Sequence, residues 1–363
     1  MAKVMISDVR DDIDEKIELI FRELAPDLKG LNVLIKPNIM TSAPGDSGVV
    51  THPEVVRAAV RAAVARGAEV MVGDNPGGID RNSQWTAKKA GIVDAAEGYF
   101  VNLSQEVVEL PVDSKYTDTL VISKAILEAD YIVNLPIFKT HTLTTITCAI
   151  KNCYGYIAGS GKAQLHLKAP GHKRFPEMLV DIYGTRPPDL HILDAITVME
   201  GNGPHHGHVR PLGKLLASTD GVALDATAAR MIGVEPSDLY FLVVAQERGL
   251  GTFDAKDIEI VGRFEMIPGF KLPSTHFTVP ADERAEVVQT IGSIRPVCFT
   301  EKCTRCRRCE INCPPKAITM NPYPTIDNEK CISCYCCAEL CPEGAMEVPE
   351  GVPQSLFDQI MPG

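Results

Sequence analysis

The chain is poor in aromatic residues and short of positive charge. Aromatics make up 6% of its 363 residues, with a single tryptophan. Lys and Arg number 36 against 47 Asp and Glu, a formal charge of −11. That balance argues against a nucleic-acid surface, which requires a basic footprint. No run of eighteen apolar residues occurs, so no membrane span is expected. The opening MAKVMISDVRDD has no apolar stretch of signal-peptide type and turns acidic at once, which makes a reducing, cytoplasmic location the expectation. Neither G-x-G-x-x-G nor G-x-x-x-x-G-K-[ST] is matched by Gly73-Asp74-Asn75-Pro76-Gly77-Gly78, which leaves NAD and ATP sites unsupported. A flavin stays open, because many flavin sites have no short motif.

What the chain does have is cysteine, twelve in all. Cys303-x2-Cys306-x2-Cys309-x3-Cys313-Pro314 is repeated as Cys331-x2-Cys334-x2-Cys337-x3-Cys341-Pro342. This spacing resembles that of bacterial two-cluster ferredoxins. Three closely spaced thiolates hold three corners of a cubane, and a short loop cannot bend round to the fourth. In that fold the fourth cysteine therefore ligates the other cluster. Cys303, Cys306, Cys309 and Cys341 are then expected to hold one [4Fe–4S] cluster, and Cys331, Cys334, Cys337 and Cys313 a second. Structural zinc would call for two separated Cys-x2-Cys pairs, and disulfides for a secreted chain. Cys336 is expected to be a spare buried thiol, Cys298 has no partner at ligand spacing, and Cys153 reads as core.

The first 290 residues alternate between strand and helix patterns. Strand-like runs are 33–36, 68–73, 131–135, 190–193, 214–217 and 258–261; helical patterns cover 13–24, 53–65, 144–154 and 221–232. Pro53 suits a first helical turn behind a Thr51 or His52 cap, and Gly67 a helix stop. The alternation predicts an α/β fold with a largely parallel sheet in one or two lobes over residues 1–290. A linker at 263–297 leads to a small α+β ferredoxin-like domain at 296–349. Ligand sites in open α/β sheets gather at the carboxyl ends of strands, here the loops 37–52, 73–82, 136–143 and 196–212.

Three groups of residues stand at those ends. Lys36 and Asn38 could bind a carboxylate or phosphate. Lys139 and His141 precede a predicted helix on which Thr144, Cys148, Lys151 and Asn152 share a face without acids, a composition suited to a cleft. Asp194 and Glu200 lead into a Gly/Pro loop with His205, His206 and His208, read as a ligand-binding loop rather than a metal site. Asp220 reads as a helix cap, whereas Asp225 lies in an apolar helix without an evident reason.

Together, Lys36-Pro37-Asn38, Thr51-His52-Pro53, Lys139-Thr140-His141, Lys151-Asn152-x2-Gly155 and Glu200-Gly201-Asn202-Gly203-Pro204 resemble the DUF362 family. Many of its members carry a C-terminal ferredoxin module, often in anaerobes. The resemblance implies a soluble α/β domain coupled to iron–sulfur clusters and supplies no settled substrate. A looser similarity to lactate racemase-type proteins is an analogy only. The expected function is an iron–sulfur oxidoreductase, receiving electrons from a partner protein and passing them to an anionic substrate or bound redox cofactor. In it Lys139, Lys151 and Lys36 would hold the anion and His141 would donate a proton, while Asn38 and Asn152 would orient the ligand, assisted by Asp194 or Glu200. The contrasting expectation is a non-catalytic electron-transfer or assembly protein. A third is non-redox chemistry on an organic or nickel cofactor that the clusters keep reduced.

Overall fold

The computed structural model describes residues 1–77, 82–159, 161–276 and 294–349; part of the expected linker, 277–293, lies outside the described residues. The strands of the large region are β1 (Ala2–Asp8), β2 (Asn32–Pro37), β3 (Glu69–Val72), β4 (Val107–Pro111), β5 (Thr119–Ser123), β6 (Tyr131–Leu135), β7 (Ile137–His141), β8 (Thr145–Thr147), β9 (Leu190–Glu200), β10 (His208–Ser218) and β11 (Ile258–Gly262). Nine of them form one mostly parallel sheet in the order β11-β1-β10-β9-β6-β2-β3, with β7 on β9 and β8 on β7; β4 and β5 make a separate hairpin. The α/β expectation holds, on one continuous sheet.

Central strands of such a sheet are buried on both faces and so lose the polar–apolar alternation of an edge. Val33, Leu34 and Ile35 of β2 and Ile132 and Val133 of β6 are accordingly inaccessible to solvent. One face is covered by the helices Ile13–Leu24 and Pro53–Ala65, whose Ile17, Phe21, Val55 and Val56 join the strands in one core. The other carries Gly171–Thr185 and Gly221–Met231, which contribute Met178, Ile182, Val222 and Leu224 to a second core. His52 caps its helix by accepting the Glu54 N–H at 3.2 Å, and Gly67 ends it at φ +74°, a left-handed conformation that glycine adopts without strain.

Strand β9 positions the site. Its start opposes β6 (Val133↔Leu190), and its later residues oppose β7 (Lys139↔Met199). Pro136 separates β6 from β7, and the chain steps aside there to open the carboxyl end of the sheet.

Two expectations fail. The pattern at 144–154 is not one helix. Thr144, Thr145 and Thr147 flank Ile146 in a β-branched run that favours extended chain, and β8 zips onto β7 (Lys139↔Thr147, His141↔Thr145). Helix is confined to Ala149–Asn152 and a 3₁₀ turn at Cys153–Tyr156. Cys148, expected on the cleft face, is therefore core, as is Cys153. The loops expected at 136–143 and 196–212 are largely strand.

Asp225 acquires its reason here. Its carboxylate accepts the N–H groups of Ala149 at 2.7 Å and Ile150 at 3.1 Å, capping the short helix that carries Lys151 and Asn152. Burial pushes this acid up to about 7, so holding it ionised costs stability as pH rises from the ordinary carboxylate range to 7. Asp225→Ala leaves two buried donors unpaired and is expected to cost about 1–3 kcal/mol, read as a lower thermal midpoint with unchanged far-ultraviolet circular dichroism.

Candidate functional site

Where the carboxyl ends of β2 and β6 meet the cysteine-rich region lies a cavity of about 120 Å³. From the α/β side its lining includes Asn38, Asp74, Lys139, His141, Thr147, Lys151, Asn152, Lys162 and His166; the cysteine-rich region supplies Asn312, Cys336, Glu339 and Leu340. Lys139 and His141 share a face because side chains alternate along β7. The structure thus brings together Lys139, His141, Lys151, Asn38 and Asn152, as the sequence predicted. Lys162, His166 and Glu339 were missed, because no motif marks them.

A chain of buried amides fixes the floor. Asn38 Nδ2 donates to Asn152 Oδ1 at 3.0 Å, and Asn152 Nδ2 to Asn134 Oδ1 at 2.7 Å. Asn134 Nδ2 contacts His191 Nδ1 at 3.0 Å and donates to Ala149 O at 3.1 Å. Such a chain holds together only if each member is satisfied, which makes the floor rigid.

The cations are unevenly compensated. Lys139, 1% exposed, donates to Val49 O at 2.7 Å and more weakly to Asn38 Oδ1 at 3.4 Å. Burial, reinforced by Lys151, brings it down to about 7. Lys162 donates to the carbonyls of Asn75 and Pro76, and burial lowers it to about 8. Lys151 is lowered by burial as well, and its Nζ has neither a hydrogen bond nor an ion pair among the described residues. The Thr147 hydroxyl and His166 Nδ1, both buried, also lack hydrogen-bond partners. An unpaired cation beside unsatisfied polar atoms is the arrangement an anionic ligand would complete.

His141 has its tautomer fixed. Nδ1 accepts the Leu143 N–H at 3.0 Å, so Nε2 carries the proton and faces Glu339 Oε1 at 3.1 Å. Burial and then Lys151 lower its pKa to about 4, so at neutral pH the imidazole is uncharged. Burial alone would raise Glu339, but His141 and Lys151 outweigh it and hold the carboxyl at about 2.

Three predicted ligand groups do other work. Lys36 pairs with Asp74 at 2.7 Å, with its side chain wholly buried. Gly155 packs directly on that pair: a Cβ there would collide with Asp74 Oδ1 and Lys36 Nζ. Asp194 accepts from His52 N at 2.7 Å and Ile196 N at 3.0 Å, tying helix Pro53–Ala65 to β9. Glu200 binds Arg210 at 3.2 Å. Strand-end position drew attention to all three, but their partners consume their polar atoms.

The two cysteine runs fold alike. The residues two and four places after each leading cysteine are left-handed, Arg305 and Arg307 in the first run, Ser333 and Tyr335 in the second. Cys313 Sγ and Cys341 Sγ each accept an N–H from four residues on, Ala317 and Ala345, both at 3.2 Å. Cys313, Cys331, Cys334 and Cys337 line one small void, and Cys303, Cys306 and Cys341 surround Cys309. These donor sets fit the crossed pattern of two cubanes. Short pairs β12 (Val297–Cys298) with β15 (Met346–Glu347), and β13 (Ile318–Met320) with β14 (Pro324–Ile326), frame them.

The histidine loop is a clasp between the two regions. His205 Nδ1 lies 2.9 Å from Glu339 O, His206 Nε2 lies 2.6 Å from Cys341 O, and Asn202 donates to Val348 O at 3.0 Å. Its glycines serve close packing within the protein: a Cβ on Gly203 would strike the Thr140 carbonyl. Replacing His205 and His206 together by Ala is expected to speed amide hydrogen exchange at residues 338–341, with strands β2 and β6 unaffected.

Residues 33–230 match a family described as a domain of unknown function (DUF362), and residues 302–345 match a 4Fe-4S dicluster domain. A thylakoid-associated protein of Synechocystis sp. is 33% identical over 231 residues, 61% of this chain and 69% of that protein. Among solved structures, the lactate racemase apoprotein of Thermoanaerobacterium thermosaccharolyticum aligns with a TM-score of 0.41 and 12% identity, covering 64% of this chain. A protein of Thermotoga maritima aligns at 0.39 and 12%, covering 65%. This chain spans 57% and 59% of the lengths of those two structures, respectively. No described helix is long and apolar enough to cross a membrane. The chain belongs to the DUF362 family and joins to it a 4Fe-4S ferredoxin-type domain.

Proposed function

We propose that this protein is an iron–sulfur oxidoreductase whose substrate, a small anion, binds in the cavity between the α/β region and the cysteine-rich region. The observation that carries the reading is Lys151: a half-buried ammonium with no hydrogen bond or ion pair among the described residues, facing a space lined on its other side by Cys336 and Glu339, neighbours of Cys337. Cys303, Cys306, Cys309 and Cys341 would hold one [4Fe–4S] cluster, and Cys331, Cys334, Cys337 and Cys313 the other. When bound, such clusters supply electrons singly and at low potential.

The protein's own groups then divide the work. Lys151 and Lys162 attract the anion and stabilise charge that grows on it during reduction. Asn38 and Asn152 set its orientation through the amide chain. Lys139, held near 7, is the proton donor at its Nζ, since a group poised at the working pH both keeps and releases a proton readily. His141, the donor expected from the sequence, has Nε2 3.1 Å from Glu339 Oε1, and in this reading it positions that carboxylate against the cavity. A non-catalytic carrier would have no use for a closed polar cavity with an unpaired cation.

Lys151→Met and Lys139→Ala are each expected to lower turnover at least a hundredfold, about 2.7 kcal/mol of lost stabilisation, while iron content and the reduced electron-paramagnetic-resonance signal are retained. Full activity in both variants would remove the cavity as the site. Anion binding should weaken as pH rises, first through about 7 as Lys139 loses its proton and then through about 8 as Lys162 does. The loss is up to about tenfold per pH unit for each proton the anion retains, read by calorimetric titration. Anaerobically purified protein is expected to contain about eight irons. Mass spectrometry of the material released on denaturation would reveal a flavin or another organic redox cofactor.

A further inference from the structure

The two cysteine runs share a backbone but not a surface. At the matching left-handed positions the second run has Ser333 and Tyr335, 0% and 1% exposed; Tyr335 packs with Leu143 and Phe175 of the α/β region, and Ser333 accepts from Arg295. The first run has Arg305 and Arg307 there, both exposed, with the ligand Cys306 exposed between them. Lys302 precedes them, and Arg308 follows. Residues 301–310 therefore hold four cations against Glu301 and Glu310, in a chain whose net charge is −11. Lys302 pairs with Glu347 and Arg307 with Glu310, yet their side chains remain 49% and 62% exposed. Ile311, one turn along the same short helix, is 58% exposed, an apolar element within the basic rim.

We infer that this rim, formed by Lys302, Arg305, Arg307 and Ile311 around Cys306, is the docking surface for an acidic one-electron carrier protein. The inference rests on the oxidoreductase reading and adds the direction of flow: electrons enter at the first run and leave at the second, beside the cavity. The net charge of −11 would by itself favour the opposite complementarity, an acidic protein meeting a basic partner. Net charge governs long-range repulsion, but docking depends on the local field at the point of transfer. An acidic partner is repelled by the chain as a whole and attracted here, so it meets Cys306 in preference to other faces. In each encounter the reduced carrier loses one electron and this protein gains one, with no bond made or broken.

The test uses full-length, cluster-loaded protein and a reduced acidic bacterial flavodoxin as the probe carrier, with stopped-flow observation of cluster reduction. The expected second-order rate constant falls at least tenfold between low and high ionic strength in the native protein. In Arg305→Glu/Arg307→Glu the low-salt rate falls at least tenfold, and its salt dependence vanishes or reverses. Photoreduced deazaflavin, a small uncharged reductant, is expected to reduce native and variant protein equally, and the cluster midpoint potentials are expected to match. A salt-independent native rate, or a variant rate equal to the native one, would overturn the docking assignment. A parallel slowing with deazaflavin and a shifted midpoint potential would equally overturn it, assigning the arginines to potential tuning. Failure of deazaflavin to reduce native protein would instead count against the oxidoreductase reading itself. The neutral pair Arg305→Gln/Arg307→Gln provides the same comparison at lower risk to folding, with an intermediate rate expected.

Discussion

An ammonium group removed from water must find oxygen atoms or lose its proton, and this constraint organises the molecule. Three lysines approach one enclosed space, and each is treated differently. Lys162 is held by loop carbonyls and Lys139 by Val49 O, both with a lowered pKa, while Lys151 has no hydrogen bond or ion pair among the described residues. A fourth, Lys36, is neutralised by Asp74, which itself lines the cavity. Concentrating like charges in this way requires a scaffold that cannot relax around them. The amide chain from Asn38 to His191, the Asp225 cap and the doubled pairing of β9 supply that rigidity.

The cysteine-rich region acts as a wall of the site as well as an electron carrier domain. Without Cys336, Glu339 and Leu340 the lysines would face open solvent and their fields would be screened. His141, His205, His206 and Asn202 hold that wall in place through its backbone and through Glu339. Residues that look like metal ligands in the sequence are thus joints between two parts. In the proposed function electron supply and anion binding meet at this surface, while Arg305, Cys306 and Arg307 of the first cysteine run are exposed to solvent.

Much of this was legible because the responsible signals are local. Cysteine spacing marked the 4Fe-4S domain, and hydrophobic periodicity located the helices Ile13–Leu24 and Pro53–Ala65 at their observed ends. Lys139 and His141 were marked by the end of β6, although the chain continues there as β7 and its alternation is what turns both toward the cavity. The failures have a common cause in pairing that local pattern does not encode. Thr145–Thr147 became strand because β7 was there to receive it. Lys36, Asp194 and Glu200 had the right chemistry and position, but partners far along the chain took up their polar atoms. Lys162 and His166 carry no motif and enter the cavity only through tertiary packing.

The central claim is that the cation-lined cavity is electrically in touch with the iron–sulfur centres. Redox potentiometry followed by low-temperature electron paramagnetic resonance, on native protein and Lys151→Met, tests it without knowledge of the substrate. Removing a positive charge beside Cys336 should make at least one midpoint potential more negative. Two midpoints identical to those of the native protein would contradict the account.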